Sequence, residues 1–125
     1  MRPVHQTKFG RPDGNCFAAC VASVFEIPIE DAPDLSAGEQ RGLHWLQVVQ
    51  EWLAPRGLWY CDVKFDGILP LGYHLIGGMG PRGLPHSVVG CNGKMVHDPH
   101  PDGSGLVDVQ DFGLFITRDP AQRQV

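Results

Sequence analysis

Apolar positions along this chain follow two rhythms, helical up to about residue 53 and strand-like from Leu58 onward. The first block, Cys16 to Phe25, is apolar nearly all the way round, the pattern of a buried central helix. Asp13-Gly14-Asn15 reads as the tight turn before it. Asn15 is the expected N-cap, its side-chain oxygen accepting from the free N–H groups of the first turn. The helix is expected to stop near Glu26, because Pro28 has no N–H to donate and disfavours helix in Ile27. Residues 29–35 read as a turn or one loose helical turn. Ser36 followed three residues later by Glu39 has the spacing of a capping box. Leu43, Leu46, Val49, Trp52 and Leu53 then recur at helical spacing. A second helix is therefore predicted to run to about Leu53, where Pro55 and Gly57 end it.

Leu58–Phe65, Tyr73–Ile76, Ser87–Gly90, Met95–His97 and Phe112–Thr117 are rich in aromatic and β-branched residues, and clusters of Gly, Pro, Asn and Asp separate them. The order predicts an α+β fold, N-terminal helices packed on a C-terminal antiparallel sheet. Residues 1–15 read as irregular, and no internal repeat is present. A length of 125 residues suits one domain spanning 1–125.

Composition narrows the partners. A formal net charge of -4 with no Lys/Arg cluster argues against nucleic acid. No apolar run is long enough for a bilayer, so no membrane partner is expected. Met1 to Gln6 lacks the apolar core of a signal peptide. With four Cys in the chain, reduced thiols and a cytoplasmic location are the expectation.

The candidate chemistry starts at Cys16. At the first position of a helix, the positive end of the dipole and unpaired N–H groups favour a thiolate. A small buried hydrophobe is the ordinary fate of a free Cys, and that suits Cys20, one turn deeper. A hairpin around Asn92-Gly93 carries His86 and Asp98. A two-residue turn would place Asp98 opposite Ser87, on the wrong face for His86. A three-residue loop, Cys91-Asn92-Gly93, would set His86 opposite Asp98 and Val88 opposite Val96. Only the second register builds a His–Asp pair, and it is the one expected. Cys16, His86 and Asp98 would then form a triad in which His86 takes the thiol proton and Asp98 orients the ring. The Cys16 N–H is placed to serve the oxyanion, and the Gln6 side-chain amide is a candidate second donor.

This ordered set resembles the papain-like cysteine peptidases. Within them it is most similar to the double-glycine-leader, bacteriocin-processing peptidases, as a small standalone bacterial or phage member. The matching pieces are Gln6, Asn15-Cys16 with its Ala-rich helix, His86-Ser87-Val88-Val89 and His97-Asp98-Pro99. The resemblance implies a papain-like fold and amide hydrolysis through a thioester. It carries over Cys16 as nucleophile, His86 as base, Asp98 as orienter and Gln6 as oxyanion donor. Two departures stand out: Asn15 replaces the acidic residue common before the nucleophile, and Arg11–Gly14 reads as an insertion between Gln6 and Cys16.

Asn15, Arg82 and His100 are the expected substrate-binding residues, Arg82 meeting an anionic group and His100 lining the cleft. His74 is expected in the core or the cleft. Trp45, Trp52 and Trp59 are expected in packing. His86, His97 and His100 together suggest zinc only weakly, since their Pro-rich spacing is no known ligand framework; no metal or cofactor is expected. The function expected is a cysteine hydrolase of a peptide or small amide. The alternatives are an acyl transferase using the same thioester, and a non-catalytic binding or regulatory domain.

Overall fold

Small residues explain how the first helix sits at the centre. A computed structural model of the chain describes residues 1–64, 66–67 and 69–121. Helix α1 spans Cys16–Phe25, and Ala18 through Ser23 are all buried. Ala18 and Ala22 let the 27–32 segment and Val4 pack close on one side. Cys20 and Val21 enter the main core on another. Glu26 ends the helix in the left-handed conformation, φ 56°, with its N–H on the Ala22 carbonyl. A single 3-10 turn follows at Ile29–Asp31.

The second predicted helix is two helices, α2 at Leu35–Gln40 and α3 at Trp45–Leu53. Gly42 breaks them with φ 76°, a conformation that glycine adopts without strain. Ser36 is no cap: its hydroxyl bonds Asp13 at 3.3 Å. Asp34 caps α2 instead, accepting from the Ala37 N–H at 3.0 Å, and the His44 ring caps α3. Pro55 sits in a 3-10 turn, and Gly57, φ 71°, closes it.

The rest is a five-stranded sheet: β1 Leu58–Lys64, β2 Tyr73–Met79, β3 Pro85–Cys91, β4 Lys94–His97 and β5 Asp108–Thr117. The expected first strand reached Phe65, which lies outside the described residues. Strand order is β1-β5-β2-β3-β4, every neighbouring pair antiparallel. The fold is thus α+β, with three α-helices and one antiparallel sheet among the described residues.

Alternation gives the sheet two apolar faces. Tyr60, Leu75 and Val89 pack against Cys20, Val21, Val49 and Leu53 of the helices. Ile76, Val88 and Phe112 form a smaller cluster with Leu106 and Leu114. Gly113 leaves room for the Tyr60 ring, because a Cβ there would collide with the Tyr60 hydroxyl. The outer edge of β1 is covered by the Gln50 amide, which bonds both the N–H and the carbonyl of Tyr60, at 2.9 and 2.8 Å. No helix among the described residues is long and apolar enough to cross a membrane.

The N-terminal arm threads between α1 and the end of β4. Arg2 N–H bonds the Ser23 carbonyl, Val4 N–H bonds the Ser23 hydroxyl, and Gln6 N–H bonds the Pro99 carbonyl. His97 donates from Nε2 to the Val4 carbonyl at 2.7 Å. These contacts bring Gln6 to the Cys16 end of α1.

Candidate active site

The hairpin holds neither register read from the sequence. Asn92 and Gly93, φ 54° and 83°, make a two-residue turn, with Cys91 paired to Lys94. That corrects the expected three-residue loop, and His86 is not directly opposite Asp98. A bulge intervenes, however. Gly90 pairs with Met95, whereas Val89 pairs with His97. One extra residue in β4 swaps the faces of everything beyond it. Continued one residue past β4, the pairing sets Asp98 beside Val88, on the face that His86 shares. The pair forms diagonally: His86 Nε2 donates to Asp98 Oδ1 at 2.7 Å, with 6% and 1% of the two side chains exposed.

Asp98 is held on every side. Oδ1 also accepts from the His100 N–H at 2.9 Å, and Oδ2 accepts from the Gly105 N–H at 2.7 Å. Burial acts to raise this carboxyl, but His86 and the two N–H groups outweigh it and hold it below the usual carboxylate range.

With Nε2 on Asp98, Nδ1 of His86 is the ring nitrogen left for the Cys16 sulfur, and each of the two groups shifts the other's titration. Burial acts to push the thiol up. The His86 hydrogen bond, the Ser87 N–H, the His86 charge and the Phe17 N–H together bring it below its ordinary value. Burial likewise acts to lower His86, but its bonds to Cys16 and Asp98 and their charges raise it. Both shifts favour a thiolate–imidazolium pair. Cys20, fully buried, has its thiol pushed well up by that burial.

The Ser87 contact has a topological cause. β4 lies beside only Val89–Cys91, because Pro99 cannot extend the ladder. Among the described residues the first half of β3 has no strand on that side, which leaves the Ser87 N–H to act on the Cys16 sulfur and lower its thiol.

A cleft of about 720 Å³ opens over this group. Gln6, Cys16, His86, Arg82 and His100 line it, with Phe9, Leu43, Trp45 and Leu84 as apolar walls. Gln6 is 8% exposed, and its Nε2 donates to the Lys8 carbonyl at 3.0 Å. One Nε2 hydrogen suffices for that bond, leaving the second free. The His100 ring lies 6.4 Å from the His86 ring and 5.2 Å from Phe9. Arg82 lines the cleft, but its Nη1 is paired with Asp102 at 2.8 Å. Hydrogen bonds from the Ser104 side chain and backbone come first among the causes that hold Asp102 at about 2.

Asn15 is where the sequence misleads most. Its side chain makes no cap to α1 and is absent from the walls of this cleft. Instead Oδ1 accepts from the N–H groups of Thr7 and Lys8, both at 3.0 Å, and Nδ2 donates to the Thr7 hydroxyl at 2.9 Å. The arm satisfies the amide before the helix can, so its capping assignment is corrected, while Asn15 lines a second, neighbouring cavity with Thr7, Lys8 and Phe17. His74 is core: 0% exposed, bonded through Nδ1 to the Gly72 carbonyl, with its ring against Phe112.

The sequence missed Ser87 and Phe17 as backbone donors, and Phe9, Leu43 and Trp45 as cleft walls. Pro99 was the available signal for the first. The walls had none, since an aromatic or Leu in a cleft and one in a core look alike in sequence. Comparison with protein-family models, with curated proteins and with solved structures returned no match.

Proposed function

We propose that this chain is a cysteine hydrolase that cleaves a peptide or other amide bond, on a papain-like fold akin to that of the double-glycine-leader peptidases. One observation carries the reading: a buried imidazole bonded to Asp98 lines the same cleft as a thiol at a helix N-terminus. Helices preceding an antiparallel sheet accord with the fold assignment.

The chemistry follows from the roles. The Cys16 thiolate attacks the amide carbonyl carbon, and the C=O electron pair moves to oxygen. The Cys16 N–H and the free N–H of Gln6 Nε2 receive that oxyanion. As it collapses, the C–N bond breaks and His86 gives its Nδ1 proton to the leaving amine. His86, neutral again, takes a proton from water, whose oxygen attacks the thioester and releases the acid and the thiolate. Asp98 keeps Nε2 protonated throughout, so that Nδ1 is the nitrogen that cycles.

The test is acyl trapping. Incubation with peptides bearing a C-terminal fluorogenic amide, followed by acid quench and intact mass, is expected to show an acyl adduct on Cys16 and turnover that Cys16→Ala abolishes. Activated acyl probes that label Cys61 and Cys91 as fast as Cys16 would contradict it.

A further inference from the structure

We propose that Asn15 is a positioning residue for the oxyanion donor, fixing the Gln6 amide through the Thr7–Lys8 turn; this rests on the hydrolase reading above. Four hydrogen bonds tie Asn15 to that turn. Its Oδ1 takes the Thr7 and Lys8 N–H groups, its Nδ2 holds the Thr7 hydroxyl, and its own N–H donates to the Lys8 carbonyl at 3.2 Å. That same Lys8 carbonyl is the acceptor for Gln6 Nε2 at 3.0 Å.

The geometry therefore links the residue before the nucleophile to the amide that faces the cleft with it. Gln6 is otherwise weakly held, since its Oε1 is buried with no partner among the described residues. An amide anchored by a single bond points wherever its acceptor is placed, and Asn15 places that acceptor. Asn15 is also covalently joined to Cys16, so the donor and the sulfur move as one unit. The arrangement explains why a side chain suited to helix capping is turned away from the helix.

Two probes separate positioning from general damage. p-Nitrophenyl acetate acylates the thiolate: the C–S bond forms, p-nitrophenolate leaves, and a tetrahedral oxyanion lies between. Iodoacetamide alkylates the same thiolate with loss of iodide and no oxyanion. Asn15→Ala is expected to slow acylation of Cys16 on the order of 10- to 100-fold and to leave alkylation within about 3-fold. Asn15→Asp keeps an oxygen for both N–H groups and accepts from the Thr7 hydroxyl in place of donating to it. It is expected to retain acylation within about 3-fold of wild type. In a Gln6→Ala background, Asn15→Ala is expected to add nothing further, since the donor it positions is gone.

Slowing of both probes alike, or an undiminished effect of Asn15→Ala in the Gln6→Ala background, would overturn the proposal. So would acylation unchanged in Asn15→Ala while the wild-type thiol is fast. If wild-type Cys16 reacts with neither probe faster than Cys61, the hydrolase reading itself fails and the proposal falls with it. Circular dichroism checks folding. Should Asn15→Ala not fold, Thr7→Val at the exposed end of the same contact is read instead, with acylation again expected to fall more than alkylation.

Discussion

Replacing Asp98 by Asn removes one charge and alters almost no volume, yet neither orientation of the new amide fits. With its oxygen at the Oδ1 position it still accepts from His86 Nε2 and the His100 N–H. Its NH2 then confronts the Gly105 N–H, which now bonds Oδ2 at 2.7 Å. That is donor against donor in a site where the side chain is 1% exposed. Turned over, the NH2 faces His86 and drives the ring into the tautomer with its hydrogen on Nδ1, so the neutral imidazole cannot take the Cys16 proton. An unmet buried hydrogen bond costs about 1–3 kcal/mol, and the His86 contact loses its charge assistance besides, so we expect a total of about 2–4 kcal/mol. For a chain of this size each kcal/mol lowers Tm by roughly 3–5 °C, giving a drop of roughly 6–20 °C. Acylation of Cys16 by p-nitrophenyl acetate at pH 7 is expected to fall on the order of 100-fold or more, because the tautomer is wrong or the imidazolium unsupported. Differential scanning calorimetry and stopped-flow acylation read the two effects. A variant that melts within 2 °C of wild type (about half a kcal/mol) and acylates at the wild-type rate would refute the reasoning.

Other perturbations follow from the same contacts. Asp98 is held below its ordinary value, so it stabilises the fold above pH ~4, the unfolded-state range, and that contribution is lost as pH falls through its lower folded value. The Tm advantage of wild type over Asp98→Asn is therefore expected to shrink on acidification below pH ~4 and to stay level from pH ~5 to 6 in a melting series; an advantage that grows on acidification would contradict the sign. Gly113→Ala drives a methyl into the Tyr60 ring and is expected to destabilise by about 1–3 kcal/mol in urea unfolding. Ser23→Ala leaves the Val4 N–H without the hydroxyl it meets at 2.9 Å; about 1–3 kcal/mol is expected to be lost, with faster hydrogen exchange in residues 2–6.

Much of the architecture was legible because it follows from local rules. An all-apolar Ala-rich run between a Gly-Asn turn and Pro28 forms a buried helix wherever it is placed, and α1 begins and ends where those residues put it. Strand positions followed from alternation and from the Gly and Pro clusters between them. The second helix was misread because the Ser36/Glu39 capping spacing runs on into the apolar spacing that starts at Leu43, and neither pattern registers the left-handed Gly42 between them. The hairpin was misread for a deeper reason. A bulge changes which face a residue occupies, and no residue type demands one at Val96. The His–Asp pair was predicted and is present, but through the bulge and not through the turn. Asn15 illustrates competition between acceptors: the same side chain can cap a helix or cross to a passing backbone, and the choice depends on an arm eight residues away. The backbone donors to Cys16 depend on a strand ending early, a consequence of Pro99 that emerges only once the strands are paired.

The account stands on Cys16 and His86 forming a thiolate–imidazolium pair. The most direct measurement is the rate of iodoacetamide alkylation at each cysteine across pH, followed by mass spectrometry in wild type and His86→Ala. The account predicts that Cys16 alone reacts fast well below pH ~8.5, the range of a free thiol, and that His86→Ala moves its profile up to that range. Alkylation of Cys16 no faster than that of Cys61 or Cys91, or a profile unmoved by His86→Ala, would contradict it.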